Sequence, residues 1–363
     1  MFFMATEAFV FIPGMSKMEK GKALDILMNG LTNSQDLAQV SESVDVTLDG
    51  YKGKQIQVKY SNGASKKMDF FEAYWNDLTY SLEDTNALKK LGKATEIMMF
   101  WLFSKVWRGI IGSKVLTLTA VGTGFVVLFW YYSILMLGFV ALKSDPNLMS
   151  IPTLKPIIEI LSDFGAKSQA VSLWLIISVL MTFVPVDGMV SVLFFTKEYL
   201  QRNELRHASR RRVASLVEEV IESGQYERIT MVAYSFGVVV ATDFLSNFQA
   251  PNSGKVRLVT LGGFLSLIKH RSDWLKQELD SCQNNASISE WIDYYSRQDW
   301  FATKTPIINN NCPIKPNSKE ITDSVPIGER LNGKVHSIYF YNSAVMNSLL
   351  QPANVPLQPM LEN

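Results

Sequence analysis

The sequence has few charged residues and almost no cysteine. Charged side chains make up 19% of its 363 residues, against about 25% in an average globular protein. The net charge is only +1, so no overall positive field favours a nucleic-acid partner. The only cysteines are Cys282 and Cys312. This excludes a disulfide framework and a cysteine-based metal site, and it favours a reducing compartment.

The apolar residues, 47% of the chain, are concentrated in two long runs. Residues 115–142 carry no charge, and a helix of that length is roughly 40 Å long, more than the ~30 Å hydrocarbon core of a bilayer. Residues 168–186 form a second uncharged run, which continues to about 195 despite Pro185 and Asp187. We therefore predict two transmembrane helices, 115–142 and 168–195, and the alternative is a pair of buried core helices.

Basic residues predict the orientation of this hairpin. They precede the first run at Lys105, Arg108 and Lys114, and they follow the second at Lys197, Arg202, Arg206, Arg210, Arg211 and Arg212. By the positive-inside rule both flanks and both termini are then cytoplasmic, which predicts a two-pass integral membrane protein. Residues 97–111 combine two tryptophans with Lys105 and Arg108, which favours an interfacial helix or, alternatively, an ordinary core helix.

Outside the runs, strand-like and helix-like patterns alternate. Strands are predicted at 8–12, 55–60, 68–75, 228–234, 256–262 and 290–295, and helices at 18–31, 203–224, 236–247 and 337–350. This alternation predicts an α/β fold with a mostly parallel sheet and helices on both faces. We expect segments 1–95 and 198–363 to form one discontinuous domain around a membrane insert, 96–197. A ligand is then expected at the carboxyl ends of the strands.

One motif at such a strand end predicts chemistry. Residues 233–237 read Ala-Tyr-Ser-Phe-Gly, with small residues two positions before and two after Ser235. A strand, a tight turn and a helix in this order form a nucleophile elbow, which raises the serine hydroxyl from the sheet. It also turns the Phe236 amide and the helix N-terminus toward a developing oxyanion. The alternative is a structural serine in a strand–helix turn.

A serine nucleophile needs a histidine base, and the chain has three histidines. His207 lies among arginines on a helix and His270 lies in a basic turn, so both are expected at the surface. Only His336 leaves room for an acid in the chain order nucleophile, acid, histidine. Asp299 follows the strand at 290–295 and is favoured over Asp293, which lies within that strand.

These motifs together resemble the α/β-hydrolase superfamily of serine hydrolases, lipase-like or esterase-like, with a transmembrane hairpin inserted. The matched residues are 11–15 (FIPGM), 72–77 (EAYWND), 233–237, 291–295 with Asp299, and 336–339 (HSIY). Many relatives have His-Gly where this chain has Pro13-Gly14, and histidine in place of Tyr234. The departures concern the oxyanion loop and the leaving-group pocket rather than the triad.

The resemblance implies a role for each residue. Ser235 attacks an acyl carbonyl, His336 moves the proton, and Asp299 orients the imidazole. The Phe236 amide, with an amide from Gly14 or Met15, forms the oxyanion hole. No metal or organic cofactor is required.

The predicted membrane hairpin favours a lipid or lipid-like ester as substrate, and soluble esters are the alternative. The sequence is also compatible with a homo-oligomer. The basic stretch at 206–212 either contacts anionic headgroups of membrane lipids or forms a solvated helix face. A second hypothesis is a catalytically inactive hydrolase-like scaffold that recruits partners to a membrane, motivated by Tyr234 and Pro13. A channel is disfavoured because two spans form no pore.

Overall fold

A nine-stranded mixed sheet organises the residues that the computed structural model describes. These are residues 6–16, 18–34, 38–79, 87–102, 186–250, 256–299 and 301–351, with scattered positions between 124 and 159. The strands are β1 (Thr6–Ile12), β2 (Ala38–Val40), β3 (Val44–Leu48), β4 (Tyr51–Tyr60), β5 (Ser65–Glu72), β6 (Arg228–Tyr234), β7 (Val256–Leu261), β8 (Ile288–Tyr295) and β9 (Asn317–Glu320). Their order is β2-β4-β5-β1-β6-β7-β8-β9, with β3 also pairing with β4.

Most of this sheet is parallel. Strands β5, β1, β6, β7, β8 and β9 run parallel, and β2, β3 and β4 add antiparallel pairs at one side. Every residue of β7 is buried, as expected for a central strand covered on both faces. The predicted mostly parallel sheet with helices on both faces is confirmed.

Helices cover both faces of the sheet. They are α1 (Lys22–Asn33), α2 (Ala87–Leu102), α3 (Val186–Gln201), α4 (Asn203–Glu222), α5 (Gly237–Leu245), α6 (Leu265–Ile268), α7 (Asp273–Gln283), α8 (Ile327–Leu331) and α9 (Ser343–Leu350). One core lies between the sheet and α3, α4, α5 and α7. The other lies between the sheet, α1, α9 and a 3₁₀ turn at Lys334–Phe340.

Helix α4 shows how the sequence pattern produces this packing. Val213, Leu216, Val217 and Val220 recur on one face and are buried against the sheet, as an amphipathic helix requires. The helix ends before Gly224, whose φ of 62° lies in the left-handed region that favours glycine after a helix.

Two predicted helices have different bounds in the structure. The first begins at Lys22 rather than at residue 18, because Gly21 adopts a φ of 92° that interrupts a right-handed helix. The last is divided into the 3₁₀ turn Lys334–Phe340 and helix α9. The division occurs at Asn342, whose side chain accepts the Val345 N–H and caps α9.

Strands from both predicted soluble segments pair within the one sheet, since β1 lies between β5 and β6. The predicted insert boundaries at 96 and 197 fall inside α2 and α3. These helices contact each other: Ile97 packs with Val190 and Phe194, and the Trp101 indole N–H donates to the Leu193 carbonyl at 3.4 Å.

In the described residues, no helix combines the length and the apolar character needed to cross a bilayer. Apart from a few isolated positions, the described residues do not include the first predicted span, 115–142, or the part of the second predicted span at 168–185. Residues 103–111 of the predicted interfacial helix also lie outside them, and residues 97–102 form the end of α2. The hairpin and its orientation remain predictions.

The strand order reverses between β1 and β6. Strands β2 to β5, which follow β1 in the sequence, lie on one side of it, and β7 to β9, which follow β6, lie on the other side of β6. Ile12 is in register with Ala233, so the loops that follow β1 and β6 lie side by side at the carboxyl ends. Such a switch point is the usual ligand site of an open α/β sheet.

We expect Gly237→Ala to lower the stability by about 1–3 kcal/mol through overpacking. A Cβ at this position would lie 2.3 Å from the Ile12 carbonyl oxygen and 2.7 Å from that of Pro13. Gly92→Ala is the matched control, since a Cβ there meets nothing within 4 Å in helix α2 and alanine favours helices. Thermal unfolding measures both, and equal midpoints for the two variants would contradict the prediction.

Candidate active site

The elbow predicted at residues 233–237 is present between β6 and α5. Ser235 has a φ of 55°, a left-handed conformation that is costly for a residue with a Cβ. Its backbone N–H donates to the Leu261 carbonyl at 2.8 Å, which ties the turn to β7. Unusual backbone of this kind is concentrated at functional sites, so the conformation favours a functional serine over a structural one.

The structure brings Ser235, His336 and Asp299 into one chain of hydrogen bonds. The Ser235 hydroxyl oxygen lies 2.7 Å from His336 Nε2. The other ring nitrogen, Nδ1, lies 2.7 Å from Asp299 Oδ2. Both distances are within the range that proton transfer requires.

His336 is held from several sides. It lies in the 3₁₀ turn Lys334–Phe340, just after the buried Val335. The Tyr234 hydroxyl donates to the His336 carbonyl at 2.9 Å, and the Tyr234 ring centroid lies 5.1 Å from the imidazole. The Phe301 ring lies 5.5 Å from it. Tyr234, a departure from the family pattern, therefore supports the imidazole rather than displacing it.

Asp299 is almost fully buried, and donors surround its carboxylate. Oδ1 accepts the Phe301 N–H at 3.0 Å. Oδ2 accepts the Tyr339 hydroxyl at 2.9 Å in addition to facing His336. Burial and the Asp299 charge raise the pKa of Tyr339 well above its usual range, so this hydroxyl keeps its proton and donates. The sequence match at 336–339 included Tyr339, but the sequence did not show that it binds Asp299.

Asp293, the alternative acid, is not in contact with His336. It is fully buried and accepts hydrogen bonds from Thr260, Ser318 and both the backbone and the hydroxyl of Thr305, each at 2.8–2.9 Å. Burial raises the pKa of Asp293. Through these hydrogen bonds Asp293 connects its own strand, β8, to β7, to β9 and to the loop that follows Asp299.

The loop after β1 lies directly beside the elbow. A Cβ on Gly14 would lie 2.8 Å from the Ser235 Cβ, so only glycine allows this approach. Within the described part of the chain, the backbone N–H groups of Gly14, Met15 and Phe236 donate to no other residue. Among the described residues, the three predicted oxyanion donors therefore have no acceptor, and Gly14 and Phe236 lie beside Ser235.

The segment at 72–76 fixes this loop. The Trp75 indole N–H donates to the Pro13 carbonyl at 2.9 Å. Asn76 accepts the Ser16 N–H at 3.4 Å and donates to the Ser16 hydroxyl at 3.0 Å. The Glu72 carboxylate accepts the Gly21 N–H where α1 begins, and burial raises the pKa of Glu72. The resemblance included this segment, but the sequence did not show that it holds the loop.

The Phe236 side chain lies in an aromatic cluster. Its ring centroid is 5.0 Å from Phe195, 5.2 Å from Tyr199 and 5.6 Å from Trp75. Phe195 and Tyr199 belong to α3, whose first ten residues, 186–195, overlap the end of the second predicted span; Phe195 and Tyr199 are instead buried in the core of the α/β domain. The residue expected to supply an oxyanion donor is therefore packed against the helix that leads out of the predicted insert.

Arg206, part of the basic stretch at 206–212, is not a free surface charge. It donates twice to Asp243 at 2.9 Å, pairs with Glu278 and stacks 3.8 Å from the Trp274 ring centroid. Burial and the neighbouring Asp243 raise the pKa of Glu278 to about 7. Arg206 therefore cannot contribute to a contact with headgroups without breaking this cluster.

The other two histidines lie apart from these residues. His207 is exposed on α4, and its ring is 3.5 Å from the Arg210 guanidinium. His270 follows α6, and burial lowers its pKa. Neither hydrogen bonds to Ser235. In the described ranges, no group of three or more His, Cys, Asp or Glu side chains could hold a metal ion.

Comparisons with protein-family models, curated proteins and solved structures find no match to the chain. The assignment of the site therefore rests on its geometry.

We expect Asp293→Ala to destabilise the fold by roughly 3 kcal/mol or more, because buried donors lose a shared acceptor. Ser289→Ala on the same strand is the matched control: this serine is exposed and its hydroxyl donates to the Val256 carbonyl at 3.2 Å, so about 1 kcal/mol or less is expected. Thermal unfolding compares the two variants. An Asp293→Ala midpoint as high as that of the control would show that the network is not structural.

Proposed function

We propose that the protein is a serine hydrolase that cleaves acyl esters through Ser235, His336 and Asp299. The observation that carries this proposal is the continuous hydrogen-bond chain from the Ser235 hydroxyl through His336 to Asp299. Three independent parts of the chain converge there, at the switch point of a parallel sheet. A serine with only a structural role would not need the buried Asp299 carboxylate next to the His336 imidazole. It would also not need the left-handed backbone at Ser235.

The mechanism follows from these positions. His336 Nε2 accepts the hydroxyl proton as Ser235 Oγ attacks the carbonyl carbon, and the imidazolium then protonates the departing alcohol. Asp299 holds the imidazole tautomer and stabilises its charge. An acyl-enzyme forms, and water, activated by the same imidazole, hydrolyses it to release the acid and restore Ser235.

The unpaired N–H groups of Phe236 and of Gly14 or Met15 supply the oxyanion hole. Each such donor lowers the transition-state barrier by roughly 3–4 kcal/mol. Because Trp75 and Asn76 hold the loop and the aromatic cluster holds Phe236, the donors are positioned before substrate arrives. This arrangement supports membership of the α/β-hydrolase superfamily.

The substrate proposal extends to lipid-like esters at a membrane. It is supported by the apolar runs at 115–142 and 168–186 and by the contact of α3 with Phe236. Helices α2 and α3 contact each other on either side of the insert, so a hairpin could leave and re-enter the domain at one place. The alternative of a catalytically inactive scaffold was based partly on Tyr234. Because the Tyr234 hydroxyl donates to the His336 carbonyl, this residue no longer argues for that alternative.

We expect a fluorophosphonate probe to label the wild-type protein and not Ser235→Ala. Hydrolysis of a short-chain aryl ester should fall at least about a thousandfold in the same variant. Ser337→Ala is the matched control, because this serine adjoins His336 but its hydroxyl donates only to the Lys334 carbonyl. Labelling of Ser235→Ala at the wild-type rate would remove the nucleophile and the proposal with it.

We expect Tyr339→Phe to move the acid limb of the kcat/KM profile to higher pH. The Tyr339 hydroxyl and His336 share Asp299 Oδ2, so losing the hydroxyl leaves more of the carboxylate charge to stabilise the imidazolium. Tyr341→Phe is the control, since that ring is exposed. An acid limb that stays in place, with only a lower kcat, would reduce Tyr339 to a packing role.

A further inference from the structure

A surface groove of about 770 Å³ lies between α4 and the residues that follow α5. Phe244 and Phe248 line it from the α5 side, with Ile221 and Ala214 on α4. His207, Arg210 and Arg211 lie toward one end of α4, and Glu218 and Glu222 toward the other. None of these residues belongs to the proposed catalytic site.

The α4 residues of the groove form one stripe along the helix. His207, Arg211, Ala214, Glu218 and Ile221 are spaced four, three, four and three apart. This is the heptad spacing with which one helix presents a continuous seam to another. Val213 and Val217 on the same helix are buried against the sheet, and Ala214 and Ile221 lie at the edge of that core. The charged members of the seam are exposed.

The charges on this seam are arranged against the helix dipole. Acidic residues are favoured near a helix N-terminus and basic residues near its C-terminus. Here Arg211 and His207 precede Ala214, and Glu218 and Glu222 follow it. Arg211, Glu218 and Glu222 form no ion pair with another described residue. The exposed seam therefore carries basic side chains toward one end and acidic side chains toward the other, which makes it complementary in charge to a reversed copy of itself.

We infer that this seam binds the α4 seam of a second copy of the chain, antiparallel and across a two-fold axis that passes between Ala214 and Ser215. In this register Arg211 faces the partner's Glu218, and His207 faces the partner's Glu222. Each pair occurs twice, as a self-complementary interface requires. The small Ala214 side chain allows the helices to approach closely where they cross, and the two helix dipoles oppose one another favourably.

A second copy fits this seam better than an anionic membrane surface. Glu218 and Glu222 would face the headgroups and be repelled. Two of the neighbouring arginines already have partners within the chain: Arg206 pairs with Asp243, and Arg212 pairs with Asp77 at 2.7 Å. The inference does not depend on the proposed catalytic activity.

A charge exchange tests the register. For the full chain in detergent micelles, sedimentation should give a dimer, and Arg211→Glu and Glu218→Arg should each weaken it by about tenfold or more, since each creates two like-charge pairs. Combining both substitutions restores opposite charges and should return the dissociation constant to within about threefold of wild type. A wild-type protein that stays monomeric, or a double variant as weak as the single ones, would overturn the inference.

A cysteine beside the axis gives a second test. Ala214→Cys should form a disulfide-linked dimer under mild oxidation, because its two copies lie close together there. The native Cys282 and Cys312 are both buried, so background linkage is small. Asn62→Cys, at an exposed turn, is the control and should not link at the same rate. If Arg211→Glu instead loses binding to phosphatidylserine vesicles with no change in mass, the seam contacts lipid and the dimer is wrong.

Discussion

The close backbone contact between the end of β1 and the start of α5 is the constraint on which the site depends. Gly237 packs against the Ile12 and Pro13 carbonyls, and Gly14 packs against Ser235. These contacts bring the loop after β1 to the serine, so that Gly14 and Phe236 lie on either side of Ser235. The imidazole, the buried carboxylate and the segment at 72–76 are arranged around that contact.

The site and the predicted membrane insert share structure. Phe195 and Tyr199 of α3 pack on Phe236, and Tyr199 also donates to Asp243 at 2.8 Å. Arg206 completes the same network from α4. A displacement of α3 would therefore be transmitted to the residue after Ser235 by direct packing. This packing joins the proposed catalytic residues to the helix that follows the predicted insert.

The sequence predicted the central strands and the Ser235, Asp299 and His336 grouping, because these depend on local signals: apolar runs, a small-x-Ser-x-Gly turn and chain order. It did not predict β2, β3 or β9, which are short or polar and acquire their structure by pairing with neighbours. Nor did it reveal the bond between Tyr339 and Asp299 or the network of Asp293, since these join residues that only the folded sheet brings together. The start of α1 was placed too early because helical periodicity does not show a left-handed glycine at Gly21.

The pairing of α2 with α3 joins two parts of the fold that are far apart in the sequence. Ile97 and Val190 are in contact although many residues intervene, so the two ends of the intervening segment are held at neighbouring points. Strand order and the approach of His336 to Ser235 place no requirement on what lies between. The length and composition of the intervening segment can therefore change without moving the strands or the site, as with a domain inserted into a surface loop.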